Sequence, residues 1–136
     1  MEIKFRAWNT AVNKMLHFEN PVGIADNENR YGLFMPSVEK KMYIGGKYEL
    51  MPYTGLSDKN GNEIYKDDVL DGSYINPMTK EKVTRIYVVD FENGNFYARL
   101  IGKSPYGDSF LYFINKNCEV IGNRWNNPEL LEVQNA

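Results

Sequence analysis

An all-β fold, a small barrel or sandwich, is what this 136-residue sequence predicts, and three observations carry that expectation. Ten tyrosines, seven phenylalanines and two tryptophans make 14% of the chain aromatic, and aromatic and β-branched side chains suit the half-buried, pleated surface of a sheet. Short extended runs recur at regular spacing between Gly- and Asn-rich breaks, the pattern of small β domains. Asn60-Gly61 and Asn93-Gly94 mark tight turns, because both residue types accept positive φ.

The elements follow in order. Ile3-Lys4-Phe5-Arg6-Ala7-Trp8 alternates apolar and basic residues, the period of a strand with one buried face. Asn9 to Asn13 is polar and turn-like, and Lys14 to Phe18 resumes the extended pattern, so a β-hairpin opens the chain. Asn20-Pro21 and Asp26 to Asn29 mark loops. Tyr31 to Met35 and Met42 to Ile44 are short strand candidates, Gly45-Gly46 is a turn, and Lys47 to Met51 is a strand that ends at Pro52. The first Asn-Gly turn lies between Leu56 and Ile64. Val69-Leu70 begins a further strand, and Asn76-Pro77 breaks the chain. Lys82 to Phe91 is the strongest strand candidate, and the second Asn-Gly turn leads from it into Phe96 to Leu100. Ser104 to Asp108 is a loop, Phe110 to Ile114 the next apolar run, and Glu119 to Ile121 the last strand. Asn127-Pro128-Glu129 then offers an N-cap residue, a proline at the first helical position and an acid in the first turn, which predicts a short C-terminal helix.

The length fits one domain, with a core large enough to stand without disulfides. Cys118 is the single cysteine, which fits a reducing compartment. Met1-Glu2-Ile3-Lys4 lacks the apolar core of a signal peptide, and Phe110 to Ile114, the longest apolar run, is far too short for a bilayer span. A soluble, cytoplasmic protein without a membrane partner is the expectation. The net charge of −2 lacks the basic excess of a duplex-binding protein. Lys4, Arg6 and Lys14 stand in a stretch without acids and are the candidate nucleic-acid face. Ser57 to Asp71 holds five acids and two lysines, which reads as a solvated surface.

No catalytic, cofactor or metal site is expected. Asp58, Asn60 and Asn62 alternate like the opening ligands of a calcium loop, but Glu63 stands where that loop needs glycine and Val69 where it needs glutamate. Their oxygens are expected to brace the turn instead, with Gly61 at positive φ. Gly45-Gly46-Lys47 lacks the upstream glycine and the Ser or Thr of a phosphate loop. His17, the one histidine, cannot build a zinc site with Cys118 alone, and no Gly-x-Ser-x-Gly elbow supplies a nucleophile. Glu63, Asp67 and Asp68 form the one carboxylate cluster. Neighbouring strand residues point to opposite faces, so turn bracing and solubility are the expected role rather than acid–base or metal chemistry. The aromatics of Tyr87 to Tyr97 and Tyr106 to Phe113 suit a core or an interface, and secondarily base stacking.

Three segments resemble the YopX family, small proteins of phages and prophages of Gram-positive bacteria. Ile3 to Trp8 with Lys14-Met15 resembles its opening. Leu50-Met51-Pro52-Tyr53-Thr54-Gly55-Leu56-Ser57-Asp58-Lys59-Asn60-Gly61-Asn62-Glu63-Ile64-Tyr65 through Asp68-Val69 resembles its central signature. Val120-Ile121-Gly122-Asn123 with Asn127-Pro128-Glu129-Leu130-Leu131 resembles its close. Pro52 and Asp67 stand where the family usually has glutamine and glycine; aspartate tolerates left-handed φ better than most residues. The resemblance implies an SH3-like small barrel and no catalytic residues. The expected organisation is an N-terminal β-hairpin region, 1–52, packed on a barrel with a short C-terminal helix, 53–136. The motif residues Tyr53, Gly55, Asp58, Asn60, Gly61, Asp68, Gly122, Asn123 and Pro128 are expected to be structural.

Three functions remain in view. The first is a phage-encoded, non-catalytic module that assembles with itself or binds a host or phage protein. The second is a nucleic-acid binder using Lys4, Arg6 and Lys14. The third is an enzyme built on the carboxylate cluster.

Overall fold

The structure, a computed structural model, describes residues 4–10, 13–19, 22–25, 31–34 and 48–132. The loops expected at Asn20-Pro21 and Asp26 to Asn29, the strand at Met42 to Ile44 and the turn at Gly45-Gly46 lie outside these residues. As expected, the chain is mostly β, in antiparallel sheets. It divides into two compact units, Met1–Tyr53 and Thr54–Ala136.

In the first unit β1 (Lys4–Asn9) pairs with β2 (Lys14–Glu19), the expected hairpin, in the register Lys4↔Glu19 to Asn9↔Lys14. β3 (Val22–Ala25) and β4 (Tyr31–Phe34) form a separate antiparallel pair. The free side of β1 pairs with the start of β5 (Tyr48–Ser57), from Asn9↔Tyr48 to Phe5↔Pro52. Pro52 therefore sits inside a ten-residue strand rather than at its end.

The second unit holds the rest of β5, then β6 (Glu63–Tyr65), β7 (Asp68–Asp71), β8 (Tyr74–Ile75), β9 (Lys82–Val83), β10 (Ile86–Glu92), β11 (Asn95–Leu100) and β12 (Ser109–Phe110). A single helical turn, α1 (Leu111–Ile114), and a 3₁₀ turn (Asn115–Asn117) lead to β13 (Glu119–Asn123). The main sheet is antiparallel, in the order β12-β11-β10-β7-β13. Its inner face carries Leu70, Tyr87, Val89, Ala98 and Leu100, packed with Ile64, Leu111 and Cys118 into one core. Burying these side chains is the main drive for the unit, at about 25 cal/mol per Å² of apolar surface.

Several expectations change. Lys82 to Phe91 is two strands, because β9 leaves the main sheet to pair with β8 and the chain turns at Thr84-Arg85, where Gly72 N–H donates to the Arg85 carbonyl at 2.8 Å. The apolar run Phe110 to Ile114 is mostly helix. The C-terminal helix is one 3₁₀ turn, Pro128–Leu131, and its N-cap Asn127 makes no side-chain cap bond. Instead Asn127 Oδ1 accepts from the Asn123 N–H at 3.3 Å. Asn93 and Gly94 both have positive φ, at 52° and 78°, as the β10–β11 hairpin requires. At the first turn only Gly61 does, at 84°.

Open space surrounds the position that a Gly61 Cβ would take. Gly61→Val therefore meets backbone strain alone, and an expected loss of about 1–3 kcal/mol follows from the left-handed φ. A urea denaturation midpoint indistinguishable from that of the parent protein would contradict it.

Candidate interaction surface

The family-signature turn is built as a brace. Asp58 is 4% exposed, and its Oδ1 accepts from the Asn60 and Asn62 N–H groups at 2.9 and 2.8 Å. Its Oδ2 accepts from Asn62 Nδ2 at 3.1 Å and from the Val120 N–H at 2.9 Å. The local bracing expected of Asp58 thus extends to β13. Asn60 and Gly61 are exposed at the tip, and Gly55 has φ 81°. Tyr53 is half-buried, with Lys4 Nζ 5.6 Å from its ring centre.

The acidic stretch is not a solvated surface, since Asp58, Asp67 and Asp68 are all buried. Asp67 occupies the β6–β7 turn rather than a strand, at φ 69°, the left-handed conformation that aspartate tolerates. Its carboxylate accepts from Trp125 Nε1 at 3.1 Å and pairs with Lys66 at 3.2 Å. Asp68 Oδ2 accepts from the Tyr65 N–H at 2.8 Å, closing the same turn from its other end. Glu63 is exposed. Asp67 and Asp68 serve separate structural duties, and among the described residues no group of His, Cys, Asp and Glu could hold a metal ion. Burial, and secondarily the nearby Asp71, pushes the Cys118 thiol up to about 11, so it stays protonated near neutral pH and is a poor nucleophile.

The closing motif is a turn in which Asn123 Oδ1 accepts from the N–H groups of Trp125 and Asn126 at 2.9 and 2.8 Å. At Gly122 a Cβ would crowd the Asn127 side chain, which would have to shift and give up its bond to the Asn123 N–H. Pro128 is exposed at the start of the 3₁₀ turn.

The basic face does not assemble. Lys4 and Arg6 share one face of β1 by alternation, but Arg6 is only 5% exposed. Lys14 pairs with Asn9, which belongs to the opposite face.

A different surface stands out. On the outer face of β11 and β12, continuing onto α1, Tyr97 and Phe110 stack at 5.0 Å, and Phe110 and Tyr112 at 5.5 Å. Phe113 closes the group at 4.4 Å from Tyr112. Tyr112 and Phe113 are 56% and 65% exposed, and Tyr106 nearby is 84% exposed. Arg99 lies over the Tyr97 ring at 4.6 Å. It is held by Asp90 at 3.5 Å, by Asp108 at 3.2 Å and by Glu92. Burial disfavours the Arg99 charge, but Asp108 and Asp90 outweigh that and hold it firmly protonated. A cavity of about 330 Å³ opens beside the rings, bounded by Tyr97, Arg99, Pro105, Phe110 and Phe113. The sequence reading named the aromatics but not Arg99. Period-two alternation through Tyr97-Ala98-Arg99-Leu100 would have found it, since Ala98 and Leu100 are the core pair.

Comparison with known proteins agrees with the architecture. The YopX family profile, described as "YopX protein", matches residues 4–132. Protein EF1440 from Enterococcus faecalis is 27% identical, with a TM-score of 0.57 over 96% of this chain and 98% of that one. Protein yopX from Bacillus subtilis is 20% identical, with a TM-score of 0.64 over 99% and 100%; at that identity the likeness is one of fold. Among curated proteins nothing matches. With the family pattern running through nearly all of its described strands and turns, the chain belongs to the YopX family.

Proposed function

We propose that the protein is a phage-encoded, non-catalytic interaction module, working in the cytoplasm of a bacterial host, that binds a partner protein through the aromatic face of β11, β12 and α1. The observation that carries this reading is the four-ring contact chain in which Tyr112 and Phe113 are more than half exposed. Exposed aromatic clusters beside an arginine have the composition of protein interface centres, and contiguous apolar patches on a small protein mark interaction sites. Asp90, Glu92 and Asp108 around the single Arg99 disfavour a phosphate backbone, which leaves nucleic acid the weaker reading despite the stacked rings. Among the described residues no helix is long and apolar enough to cross a membrane, and the free, buried Cys118 is compatible with a reducing compartment.

The test compares tagged parent protein with a Tyr112→Ser/Phe113→Ser double variant in phage-infected host cells. Truncation of two central interface aromatics is expected to lower partner recovery more than about tenfold, while the melting temperature changes little because both rings are exposed. Equal recovery of the same proteins by both would sink the reading. Sedimentation of the purified pair separates a foreign partner from a second copy: self-assembly through this face predicts a parent oligomer that the double variant lacks.

A further inference from the structure

A second cavity of this unit lies away from the aromatic face, and its lining has a chemistry of its own. Its volume is about 560 Å³, within the about 300–1,000 Å³ range of small-molecule pockets. Val83, Ile86, Ile101, Ile121 and Leu130 line it. All five are aliphatic and none reaches full burial, so the apolar surface the fold leaves uncovered here is gathered around one hollow. Lys82, Arg85 and Lys103 stand on the same lining, against Asp71 and Glu132.

The two acids do not cancel the cations evenly. Asp71 Oδ1 accepts from the Ser73 N–H at 2.9 Å. Burial raises the Asp71 carboxyl, but Ser73 and then the charges of Lys82 and Lys59 outweigh it and hold it ionised. Lys82 is thereby balanced by Asp71. Arg85 and Lys103 share the lining with the exposed Glu132, Arg85 also hydrogen-bonds the Tyr87 side chain, and among the described residues neither takes part in an ion pair. The Thr84 hydroxyl adds a further polar group to the lining.

We infer that this cavity is a binding site for a small amphiphilic anion, an aliphatic body carrying one carboxylate, with the body on the aliphatic lining and the anionic head between Arg85 and Lys103. An apolar floor with a few convergent polar groups is the usual constitution of a ligand pocket, and hydrogen bonds from charged donors to a carboxylate are the stronger kind. The site is independent of the aromatic face, and either can fail without the other.

The probe is octanoate, titrated into the intact protein and followed by backbone amide NMR shifts, with octylamine as the charge-reversed control. Octanoate is expected to shift the amides of residues 82–86, 100–103, 121 and 130 saturably below about 10 mM, while octylamine leaves them in place. Lys103→Gln changes one exposed side chain and is expected to weaken octanoate about tenfold, the effect of losing one charged hydrogen bond. Phe113→Ser should leave octanoate binding unchanged. The inference is overturned by non-saturating shifts, by equal shifts with octylamine, by shifts centred on Tyr97 and Phe110, or by a Lys103→Gln affinity equal to that of the parent.

Discussion

Asp58→Ala is expected to destabilise the protein by about 3–5 kcal/mol, more than Gly61→Val in the same turn. One buried carboxylate satisfies three backbone N–H groups, those of Asn60, Asn62 and Val120, and the Asn62 side-chain amide. Alanine leaves the donors of these four part-buried bonds without their acceptor. Bonds to a charged group are worth about 1.5–3 kcal/mol each and do not simply add, which sets the range. The Val120 bond spans 62 residues, so the loss loosens both the β5–β6 turn and the β13 edge. The pH dependence has a definite sign. Burial pushes the Asp58 carboxyl up, but the hydrogen bonds from Val120, Asn62 and Asn60 outweigh it, and the group rests below its ordinary value of 3.8. A carboxyl depressed in the folded state stabilises above its unfolded value and loses that contribution as pH falls through the folded one. The parent protein should therefore weaken progressively below about pH 4. Asp58→Asn should flatten that decline in part, with Asp71 and Asp108, also depressed, supplying the rest. Urea denaturation at pH 7 and at several acid values measures both effects. An Asp58→Ala loss under about 1 kcal/mol, or an Asp58→Asn variant with the full parental acid dependence, would refute the brace.

What could be read from the sequence was what depends on near neighbours. The β1–β2 hairpin shows in the alternation of Lys4 to Trp8, and the β10–β11 hairpin in Asn93-Gly94. The structural reading of Asp58 follows from the failed calcium pattern. Distant partners were out of reach. The acids of Ser57 to Asp71 look solvated in one dimension, because nothing there says that Val120 and Trp125 return to cover Asp58 and Asp67. Lys82 to Phe91 reads as one strand because the pairing of β9 with β8, which draws it out of the sheet, is a tertiary fact. The basic face failed on register: Arg6 and Lys14 are charged, but a two-residue repeat and the Asn9↔Lys14 pairing put them on opposite faces. The aromatic surplus was visible and its use was not, since stacking Phe110 on Tyr97 depends on β12 returning beside β11.

The helical turn at Leu111–Ile114 shows how packing overrides local pattern, and its first residue carries the other large prediction. Phe110 to Ile114 is apolar throughout, so no period distinguishes strand from helix. The core decides: Leu111 is fully buried and Ile114 packs against the same cluster, an i, i+3 pair on one helical face. Tyr112 and Phe113 are then forced outward. A four-residue helix has almost no stability of its own, so the outward aromatics depend on the Leu111 anchor. Leu111→Ala is expected to cost about 3–5 kcal/mol, the transfer term plus the cavity left in a packed core. Because α1 should detach before the sheet does, limited proteolysis is expected to cut first near residues 103–114, and partner recovery should fall even where the sheet remains folded. Phe113→Ser removes a ring that is 65% exposed and should spare stability while weakening the partner. The two variants thus divide anchor from contact. A Leu111→Ala protein with unchanged denaturation and unchanged cleavage would show that the aromatic face holds its shape without the core beneath it.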